Sequence, residues 1–496
     1  MPLSHRELNT LFRTLDHDPV LISVKFEGWL AWPLIKERLW RMYLGHGREK
    51  TRESPFRILA RLCLGIMELA INLATPPRRE FAALYSPRRS PGPDGRPMHP
   101  HLGTLLDGAQ GDRYFRFIFN WEHDTFSLPR RGVLNQRLGG YVLALAAVVL
   151  RRNRKIREVS DRLASRLVQV LPEAPRAEIQ QVCADQLARF AVRRRVCRRI
   201  FLRAGVRSII VLDPDAKTSE IAAAKAEGIC VLEMQHGMFS ADEPDYSWTA
   251  AHRAARREMA VVDRVLVFGP YWQRELAKNG FWRSREVTCI GCPGVVHFRR
   301  MRKDGHRPSA AQVTVLFLTQ AYVRDAALAF WTRALALQAE IEAESVFQLQ
   351  LRVHPAEAYD TAPYEELARR FPAHCEFADP SVSVYQAIVE ADIVAGFTSL
   401  AMAEAVGLGV PTVSICGGAA YDGFCGTFGG GGIESVVPHL NRPEDFLALI
   451  HRCRDPKYYL KWAKDTASCG ATIFSFPRDT PERRLLHALE TARPAD

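Results

Sequence analysis

The stretch DIVAGFTSLAMAEAVGLGVPTVSI, residues 392–415, contains a complete strand–helix–strand unit. Its first apolar run ends at Gly396 and is followed by Thr398 and Ser399, residue types that favour the start of a helix. The helix predicted over 399–408 ends at glycines, and a second apolar run follows. Two apolar strands joined by a helix are parallel and covered on both faces, so this stretch predicts a doubly wound α/β sheet.

Strand and helix patterns alternate in the same way along most of the chain after residue 80. Strands are predicted at 81–86, 114–120, 206–212, 229–234, 264–268, 287–290, 313–318, 347–353, 375–377, 392–396 and 411–415. The predicted fold class is therefore α/β, with two doubly wound Rossmann-like domains that face each other across a cleft. The chain divides into a basic helical N-terminal region 1–78, a first Rossmann-like domain 79–298 with a helical insertion near 133–203 whose first helix spans 133–152, a linker 299–311, and a second Rossmann-like domain 312–496.

The composition excludes several classes of protein. The chain has 496 residues, of which 47% are hydrophobic and 25% charged, so it is neither disordered nor collagen-like nor a coiled coil. The net charge of +12 is uneven, because the first 200 residues hold 35 Lys and Arg against 19 Asp and Glu. This N-terminal excess predicts an anionic partner, and a membrane surface is favoured over nucleic acid because the basic residues lie in amphipathic helices without an aromatic platform.

An apolar helix is predicted over 58–74, with its polar residues Arg61, Glu68 and Asn72 on one narrow stripe. Two interpretations stay open: the helix lies in an anionic bilayer interface, or it is buried in the N-terminal region. The longest uncharged apolar run has ten residues, whereas a membrane span needs about 20, so no transmembrane helix is predicted. Eleven scattered cysteines and the lack of a signal-peptide pattern predict a cytoplasmic protein, peripheral on the inner face of the plasma membrane if the helix docks there.

Ligands of open α/β sheets bind beyond the carboxyl ends of the strands, so residues at those positions are candidates. His354 follows the strand 347–353 and can donate a hydrogen bond to a phosphate, or simply cap a loop. Thr398 and Ser399 offer hydroxyls and helix-start N–H groups to an anion, or only cap the helix. Glu404 lies one turn deeper and could accept both hydroxyls of a ribose, or lie on the surface.

Polar residues also follow a predicted strand of the first domain. The strand 229–234 runs into Gln235, His236 and Gly237, and His236 is a candidate general base because imidazole is neutral at cytosolic pH. Asp213 follows the strand 206–212, and Asp94 and His101 lie in the long loop 86–112. These three residues are further candidates, although each of them could simply be solvated.

Two motifs are not counted as sites. Cys289 and Cys292 have CxxC spacing, but no second pair follows, so buried thiols are expected rather than zinc ligands. The glycine run 429–432 lacks the Lys-Ser/Thr of a phosphate-binding loop. Asp213-Pro-Asp215 has the Asp-x-Asp spacing of some divalent-ion sites but lies in the first domain, so no metal ion is predicted, and no cofactor either.

The candidate motifs of the second domain occur in a characteristic order. They are Arg352-Val-His354-Pro355, Asp379-Pro-Ser381-Val-Ser383-Val-Tyr385, Gly396-Phe-Thr398-Ser399, Glu404-Ala405 and Gly409-Val-Pro411. In this order they resemble the donor-binding domain of GT-B-fold bacterial surface (capsular) polysaccharide glycosyltransferases. By motif they are also similar to CDP-glycerol glycerophosphotransferase-like and polysialyltransferase-like enzymes.

The resemblance implies specific roles. The donor phosphates would be held by His354, Thr398 and Ser399, and the donor ribose would meet Glu404. Arg352 and Ser381 belong to the same donor-binding motifs. On the acceptor side, Gln235-His236-Gly237 resembles a His-Gly element whose histidine acts as a base or as a phosphate contact, and Asp94-Gly95 loosely resembles an acidic-Gly element.

The expected function is thus metal-independent transfer of a sugar or polyol phosphate from a nucleotide-activated donor to a glycan or lipid-linked acceptor in surface polysaccharide biosynthesis. Two alternatives share the fold. One is a non-catalytic nucleotide-binding scaffold of a membrane assembly, and the other is a sugar-nucleotide 2-epimerase-like enzyme, which would need no acceptor.

Overall fold

The computed structural model describes residues 5–43, 54–87, 89–119, 128–136, 138–171, 175–240, 243–302, 306, 308, 312–341, 346–357, 360–415 and 433–493. The linker predicted over 299–311 lies partly outside these residues, and the glycine run 429–432 lies wholly outside them.

The N-terminal region begins with three helices, α1 (His5–Leu15), α2 (Trp32–Tyr43) and α3 (Pro55–Ala74). A buried ion pair of 2.6 Å between Lys36 on α2 and Asp16 fixes the first two helices to each other. The hydroxyl of Ser247, from the first Rossmann-like unit, donates to the same carboxylate at 3.1 Å. The N-terminal helices are therefore attached to that unit by a shared buried charge.

Seven parallel strands form the first sheet, and their order across it is β3-β2-β1-β4-β5-β6-β7. The strands are β1 (Phe81–Tyr85), β2 (Tyr114–Ile118), β3 (Val133–Asn135), β4 (Ser208–Val211), β5 (Cys230–Met234), β6 (Arg264–Val267) and β7 (Val287–Cys289). The helices of this part are α4 (Gly139–Leu150), α5 (Arg154–Leu167), α6 (Arg176–Ala204), α7 (Thr218–Lys225), α8 (Pro270–Ala277) and α9 (Pro293–Arg299), together with the short helices Gly108–Gly111 and Ala250–Ala254.

Six parallel strands form the second sheet, in the order β10-β9-β8-β11-β12-β13. The strands are β8 (Val313–Leu318), β9 (Phe347–Arg352), β10 (Cys375–Phe377), β11 (Ile393–Gly396), β12 (Thr412–Ile415) and β13 (His439–Leu440). Its helices are α10 (Arg324–Ile341), α11 (Ala362–Arg370), α12 (Val384–Glu390), α13 (Leu400–Leu408), α14 (Pro443–Cys453), α15 (Pro456–Ile473) and α16 (Pro481–Glu490).

Both sheets follow the same winding rule. In each, the first strand lies inside the sheet, the next two lie on one side of it and the fourth lies on the other. The direction of winding therefore reverses between β1 and β4, and again between β8 and β11, and such a reversal leaves a crevice at the carboxyl ends of the two strands. The predicted fold class, two doubly wound Rossmann-like units with extra N-terminal helices, is confirmed.

The end of the chain returns to the first sheet. The hydroxyl of Ser208 in β4 donates to the carbonyl of Leu489 in α16 at 2.8 Å, and Arg113 lies 3.0 Å from Glu490. The helix α16, which we did not predict, therefore covers the first sheet although it falls within the predicted unit 312–496. Two short antiparallel hairpins, Lys25–Phe26 with Trp29–Leu30 and Ser90–Pro91 with Pro97–Met98, complete the described strands.

The helix predicted over 133–152 is partly wrong. Its first three residues form the edge strand β3, paired with residues 116–118, and the helix α4 starts only at Gly139. The apolar Val-Leu pair at 133–134 suits either structure by pattern, and strand pairing decides the outcome. None of the described helices is both long and apolar enough to cross a lipid bilayer.

Candidate functional site

A cleft of about 920 Å³ opens between the carboxyl ends of the two sheets. The first half contributes residues that follow β1 and β5, and the second half contributes residues that follow β8 and β11, where the winding of its sheet reverses. Six of the residues predicted from the sequence line it, and they are His101, His236, Arg352, His354, Ser399 and Glu404. The remaining predicted residues, Thr398, Ser381, Gln235, Gly237, Asp213 and Asp94, are not part of its lining.

Gln320 connects the chain after β8 to the chain after β11, the two neighbouring strands between which the winding of the second sheet reverses. It follows β8, and its side-chain amide donates to the carbonyl of Thr398 while accepting from the N–H of Thr398 at 2.9 Å. This two-point contact fixes the backbone between β11 and α13. Gln320 was not among the predicted site residues, although its place two residues beyond a predicted strand was a usable signal.

Ser399 begins the helix α13. Its hydroxyl accepts a hydrogen bond of 3.3 Å from the N–H of Met402, as an N-cap does. Leu400 and Ala401, the first residues of the helix, line the cleft next to Ser399. The positive end of the helix dipole and the free N–H groups of its first turn therefore face the cleft, which suits a phosphate group.

His354 is held through its backbone by a buried polar cluster. Its N–H donates to the hydroxyl of Thr319 at 2.9 Å, and that hydroxyl donates to Glu357 at 2.6 Å. Glu357 is fully buried and also accepts from Arg324 and Tyr364, at 3.1 and 2.9 Å. The backbone of His354 is therefore fixed, while its side chain is exposed at the wall of the cleft.

Arg352 supports the neighbouring loop. Its guanidinium donates to the carbonyls of Asp379 and Val382, at 2.7 and 2.9 Å, and burial lowers its pKa. Ser381 lies in this loop, is exposed, and donates its N–H to the side chain of Asp379 at 2.8 Å. Arg352 therefore lines the cleft and shapes the loop, and Ser381 belongs to a turn of this loop.

Glu404 lies at the boundary between the two units. Its Oε1 accepts from the phenol of Tyr385 at 2.6 Å and contacts the thiol of Cys292 at 3.7 Å. Burial raises the pKa of Glu404 to about 7. A β-carbon at Gly294 would lie 2.1 Å from the Tyr385 ring, so only glycine fits beneath this ring.

His236 and Asp213 face each other at the carboxyl ends of β5 and β4. The backbone N–H of Asp213 donates to Nδ1 of His236 at 3.2 Å, and the Asp213 carboxylate lies 3.7 Å from Nε2. Nδ1 is therefore an acceptor in the neutral ring, and the proton sits on Nε2. Asp213 has a φ of 61°, a left-handed conformation that is uncommon outside glycine and concentrates at functional sites.

A group of buried acids lies behind this pair. Burial raises the pKa of Asp215, Glu233 and Asp245, to about 8 for Glu233 and about 7 for Asp245. Burial also favours the neutral form of Asp213, but the ammonium of Lys217, together with the ring of His236 when that ring is protonated, outweighs it and lowers the pKa of Asp213. Asp213 is therefore the charged member of the group.

Two other residues predicted in the first half, Gln235 and Asp94, form hydrogen bonds within the fold. Gln235 is buried, accepts from the N–H of Phe268 at 2.8 Å and donates to the carbonyl of Gly237 at 2.9 Å, so it joins β5 to β6. Asp94 lies on an exposed hairpin, where it accepts from the N–H of Arg96 at 3.1 Å. Its side chain serves that turn.

The long loop after β1 brings a second histidine and a cation to the cleft. His99 organises it, because its Nδ1 accepts from the N–H groups of His101 and Leu102 at 3.1 and 3.2 Å. Arg89, which the sequence analysis missed, lines the cleft and pairs with Asp107 at 2.5 Å. The cleft thus has two guanidinium groups and three imidazole groups in its lining.

One group of described residues has the atoms to hold a metal ion. Ligand atoms of His101, Cys292 and Glu404 lie within 4.8 Å of one another. Burial raises the pKa of both the Cys292 thiol and Glu404, so a cation would have to displace protons from both. Of the two cysteines with CxxC spacing, Cys292 belongs to this group and Cys289 does not.

The arginine-rich part of α6 is used for internal ion pairs. Arg193 pairs with Glu220 at 2.6 Å, and Arg194 pairs with Glu27 at 2.7 Å. Arg195 and Arg198 are also paired with carboxylates. These charges neutralise acids of the same chain.

Comparison with known proteins gives matches in structure only. No family model and no curated protein matches the sequence. The wall teichoic acid polymerase TagF is 10% identical over 94% of this chain and 98% of its own, with a TM-score of 0.46. UDP-GlcNAc 2-epimerase from Neisseria meningitidis is 13% identical over 62% of this chain and 82% of its own, with a TM-score of 0.41. MurG from Acinetobacter baumannii is 13% identical over 61% of this chain and 80% of its own, with a TM-score of 0.40.

Proposed function

We propose that this protein is a glycosyltransferase. It would move a sugar, or a polyol phosphate, from a nucleotide-activated donor to a glycan or lipid-linked acceptor in surface polysaccharide biosynthesis, without a metal ion or cofactor. The observation that carries the proposal is the cleft itself, which is lined by residues from both halves of the chain and in which one wall presents a helix N-terminus beside His354.

The second sheet supplies the donor side. A nucleotide phosphate gains negative charge as it leaves, and donors that are already in place stabilise this charge without reorganising. Ser399 and the first turn of α13 present such donors, His354 lies at the same wall, and Gln320 holds the backbone that leads into the helix. Glu404 lines the same wall, and we assign it the contact with the donor ribose.

The first sheet supplies the acceptor side. Because Nδ1 of His236 is occupied by the N–H of Asp213, Nε2 carries the proton and His236 is suited to donate to a charged oxygen. Of the two roles that the resemblance implies for this histidine, this geometry favours the phosphate contact over the base. We assign removal of the acceptor proton to His101, the other imidazole of this half in the cleft lining.

In the transfer step the acceptor oxygen forms a bond to the transferred group, and the bond from that group to the leaving phosphate breaks. The acceptor hydroxyl proton passes to His101, and the leaving phosphate takes both bonding electrons and is held by the donor-side groups. Proton transfer to a positioned side chain contributes typically about 10²–10⁴-fold to the rate.

A nucleotide-sugar 2-epimerase is the second candidate. The observation that favours it is Glu404, whose pKa of about 7 would allow a carboxyl group in the cleft to take up and return a proton near neutral pH. An epimerase would convert the donor without an acceptor.

The experiment is a thermal-shift screen of nucleotide sugars and CDP-linked polyols, followed by mass analysis of the products. A transferase joins the sugar or polyol to an added glycan acceptor and releases the nucleotide, an epimerase returns an isomer of equal mass, and a scaffold binds without turnover. The variant His354→Ala should lose donor binding, whereas His451→Ala, an exposed histidine outside the cleft lining, should keep it. If EDTA abolishes transfer, the metal-independent mechanism is wrong.

A further inference from the structure

The helix α3 has its polarity reversed relative to an ordinary surface helix. Its polar residues Arg61, Glu68 and Asn72 are buried against the protein. Large apolar side chains point outward instead, with Phe56 80% exposed and Ile66 58% exposed. The interpretation that the whole helix is buried is therefore wrong, because the helix packs on the protein through its polar stripe and leaves its apolar side uncovered. The interpretation that it lies in a bilayer interface stays a prediction.

Hydrogen bonds of the polar stripe fix this orientation. One oxygen of Glu68 accepts from the N–H groups of Asn135 and Gly139, at 3.0 and 2.9 Å, and so caps the start of α4. The amide of Asn72 donates to the carbonyl of Val133 at 2.8 Å and accepts from the N–H of Gly132 at 2.8 Å. Turning the apolar side inward would break these buried bonds, so its exposure is specified by the fold.

The neighbouring helix α4 extends the apolar surface. The two helices cross at Gly65, where an added β-carbon would lie 2.5 Å from the carbonyl oxygen of Leu138. On α4, Val148 and Val149 are 49% and 75% exposed. We call the exposed large side chains of the two helices the apolar face, and its members are Phe56, Leu59, Ile66, Met67, Leu145, Val148 and Val149.

The charges next to the apolar face are mostly basic, and the acids at its edge, Asp185 and Glu158, are paired with Arg151 and Arg154. The only acid in α3 and α4 is Glu68, which is buried. At the end of α3, Arg131 donates to the carbonyl of Thr75 at 2.9 Å, and Arg203 donates to the carbonyl of Leu73. Exposed basic residues also stand in the first turn of α3 and directly after α4, and these are Arg57, Arg152 and Lys155.

We propose that the apolar face docks on the surface of an anionic lipid bilayer. An apolar helix surface bordered by cations matches the boundary between acyl chains and anionic headgroups, where the side chains enter the apolar layer and the arginines stay at the phosphates. A symmetric pair of this chain would instead bring two basic borders together, which costs free energy. The inference concerns a different surface from the cleft and does not depend on the reaction.

The test is co-sedimentation of the full chain with vesicles. We expect strong binding to vesicles that contain phosphatidylglycerol, binding that is weakened by high salt, and little binding to pure phosphatidylcholine. The double variant Leu59→Glu/Ile66→Glu should reduce the bound fraction at least ten-fold. Both positions are exposed, so circular dichroism and the melting temperature should be unchanged.

The matched control is Val168→Glu, the same kind of change at a valine that is 38% exposed just beyond α5 and outside the apolar face. It should bind vesicles like the unmodified protein. As a second measurement, a polarity-sensitive fluorophore on the exposed thiol of Cys63 in α3 should shift to the blue with anionic vesicles, and the signal should vanish in Cys63→Ser.

Two results would overturn the proposal. One is the folded protein failing to bind anionic vesicles, or binding them equally well after Leu59→Glu/Ile66→Glu. The other is a dimer in light scattering that the double variant dissociates while vesicles capture neither form, because the apolar face would then belong to a contact between two copies of the chain.

Discussion

The phenol of Tyr385 donates a hydrogen bond of 2.6 Å to Oε1 of Glu404, the same oxygen that the thiol of Cys292 contacts. Tyr385 and Glu404 belong to the second unit and Cys292 to the first, so one carboxyl group lies at the junction of the two. Glu404 also lines the cleft. Its protonation state is therefore linked both to the packing of the units and to the charge in the site.

The first prediction concerns the dependence of stability on pH. Burial raises the pKa of Glu404 from 4.5 to about 7, so the folded state retains a proton that the unfolded chain releases. Its contribution to stability is complete below pH 4.5 and is lost as the pH rises through 7, and it amounts to at most about 3 kcal/mol. Chemical denaturation at pH 5 and pH 8 measures the loss.

The variant Glu404→Gln should abolish this part of the pH dependence, since an amide still accepts from Tyr385 but does not titrate in this range. Glu68, Glu233 and Asp245 also have raised pKa values, so some dependence will remain in the variant. Glu376→Gln, an exposed glutamate in β10, is the control and should leave the profile unchanged. Equal pH profiles for the unmodified protein and Glu404→Gln would contradict the assignment.

The second prediction concerns Gly294→Ala. The new β-carbon would lie 2.1 Å from the Tyr385 ring, which is buried and stacked on Phe298, so the ring has to move. Overpacking of this kind costs typically about 1–3 kcal/mol, and here it also strains the contact between the units. We expect a lower melting temperature for Gly294→Ala and partial recovery in Gly294→Ala/Tyr385→Leu. Gly237→Ala is the control, because no atom lies within 4 Å of an added β-carbon there.

Much of the fold follows from local pattern. Apolar runs between helices predicted all strands of the two sheets except the edge strands β3 and β13, because a parallel strand covered on two faces is largely apolar. The pairing order is a non-local property, and the sequence could not show that both sheets wind in the same order. The helix α16 has local start signals, the N-cap Thr480 and a proline in its first turn, that were not used. Its contact with β4, 281 residues away at the Ser208–Leu489 bond, is non-local and could not be predicted.

The site was predictable where a polar residue follows a strand, and less so elsewhere. His354 and Ser399 were found by this rule and line one cleft. Asp94 follows a loose motif and lies on an exposed turn. The burial of Glu357 and the reversed polarity of α3 depend on partners far along the chain, which no local pattern encodes.

The third prediction concerns Gln320, which positions the backbone of Thr398 without being a member of the cleft lining. Gln320→Glu replaces the amide donor by a carboxylate that faces the carbonyl of Thr398, so this loop should shift and α13 should lose its alignment with the donor phosphates. We expect the donor KM to rise about 10- to 100-fold, as for loss of hydrogen bonds to a charged group, with a smaller change in kcat.

Gln312→Glu, at the other end of β8, is the matched control for Gln320→Glu and should behave as the unmodified protein. A general loss of stability would lower kcat and leave the donor KM unchanged, because only folded molecules are active. An unchanged donor KM in a folded Gln320→Glu would show that the contact does not position the site.

The last prediction separates the two roles of His236. The side-chain amide of asparagine lies near the position of Nδ1 of a histidine, and that of glutamine lies near the position of Nε2. The amide nitrogen of glutamine can therefore take the place of Nε2–H. If His236 donates to a charged oxygen, His236→Gln keeps a donor there, so it should be at least about 10-fold faster than His236→Ala, which should lose roughly 10²–10³-fold in kcat. If His236 were the base, Gln and Ala would be equally slow, because an amide does not take up a proton at neutral pH. The same distinction appears in the pH profile of kcat/KM, in which His101→Ala, but not His236→Gln, should remove the acidic limb.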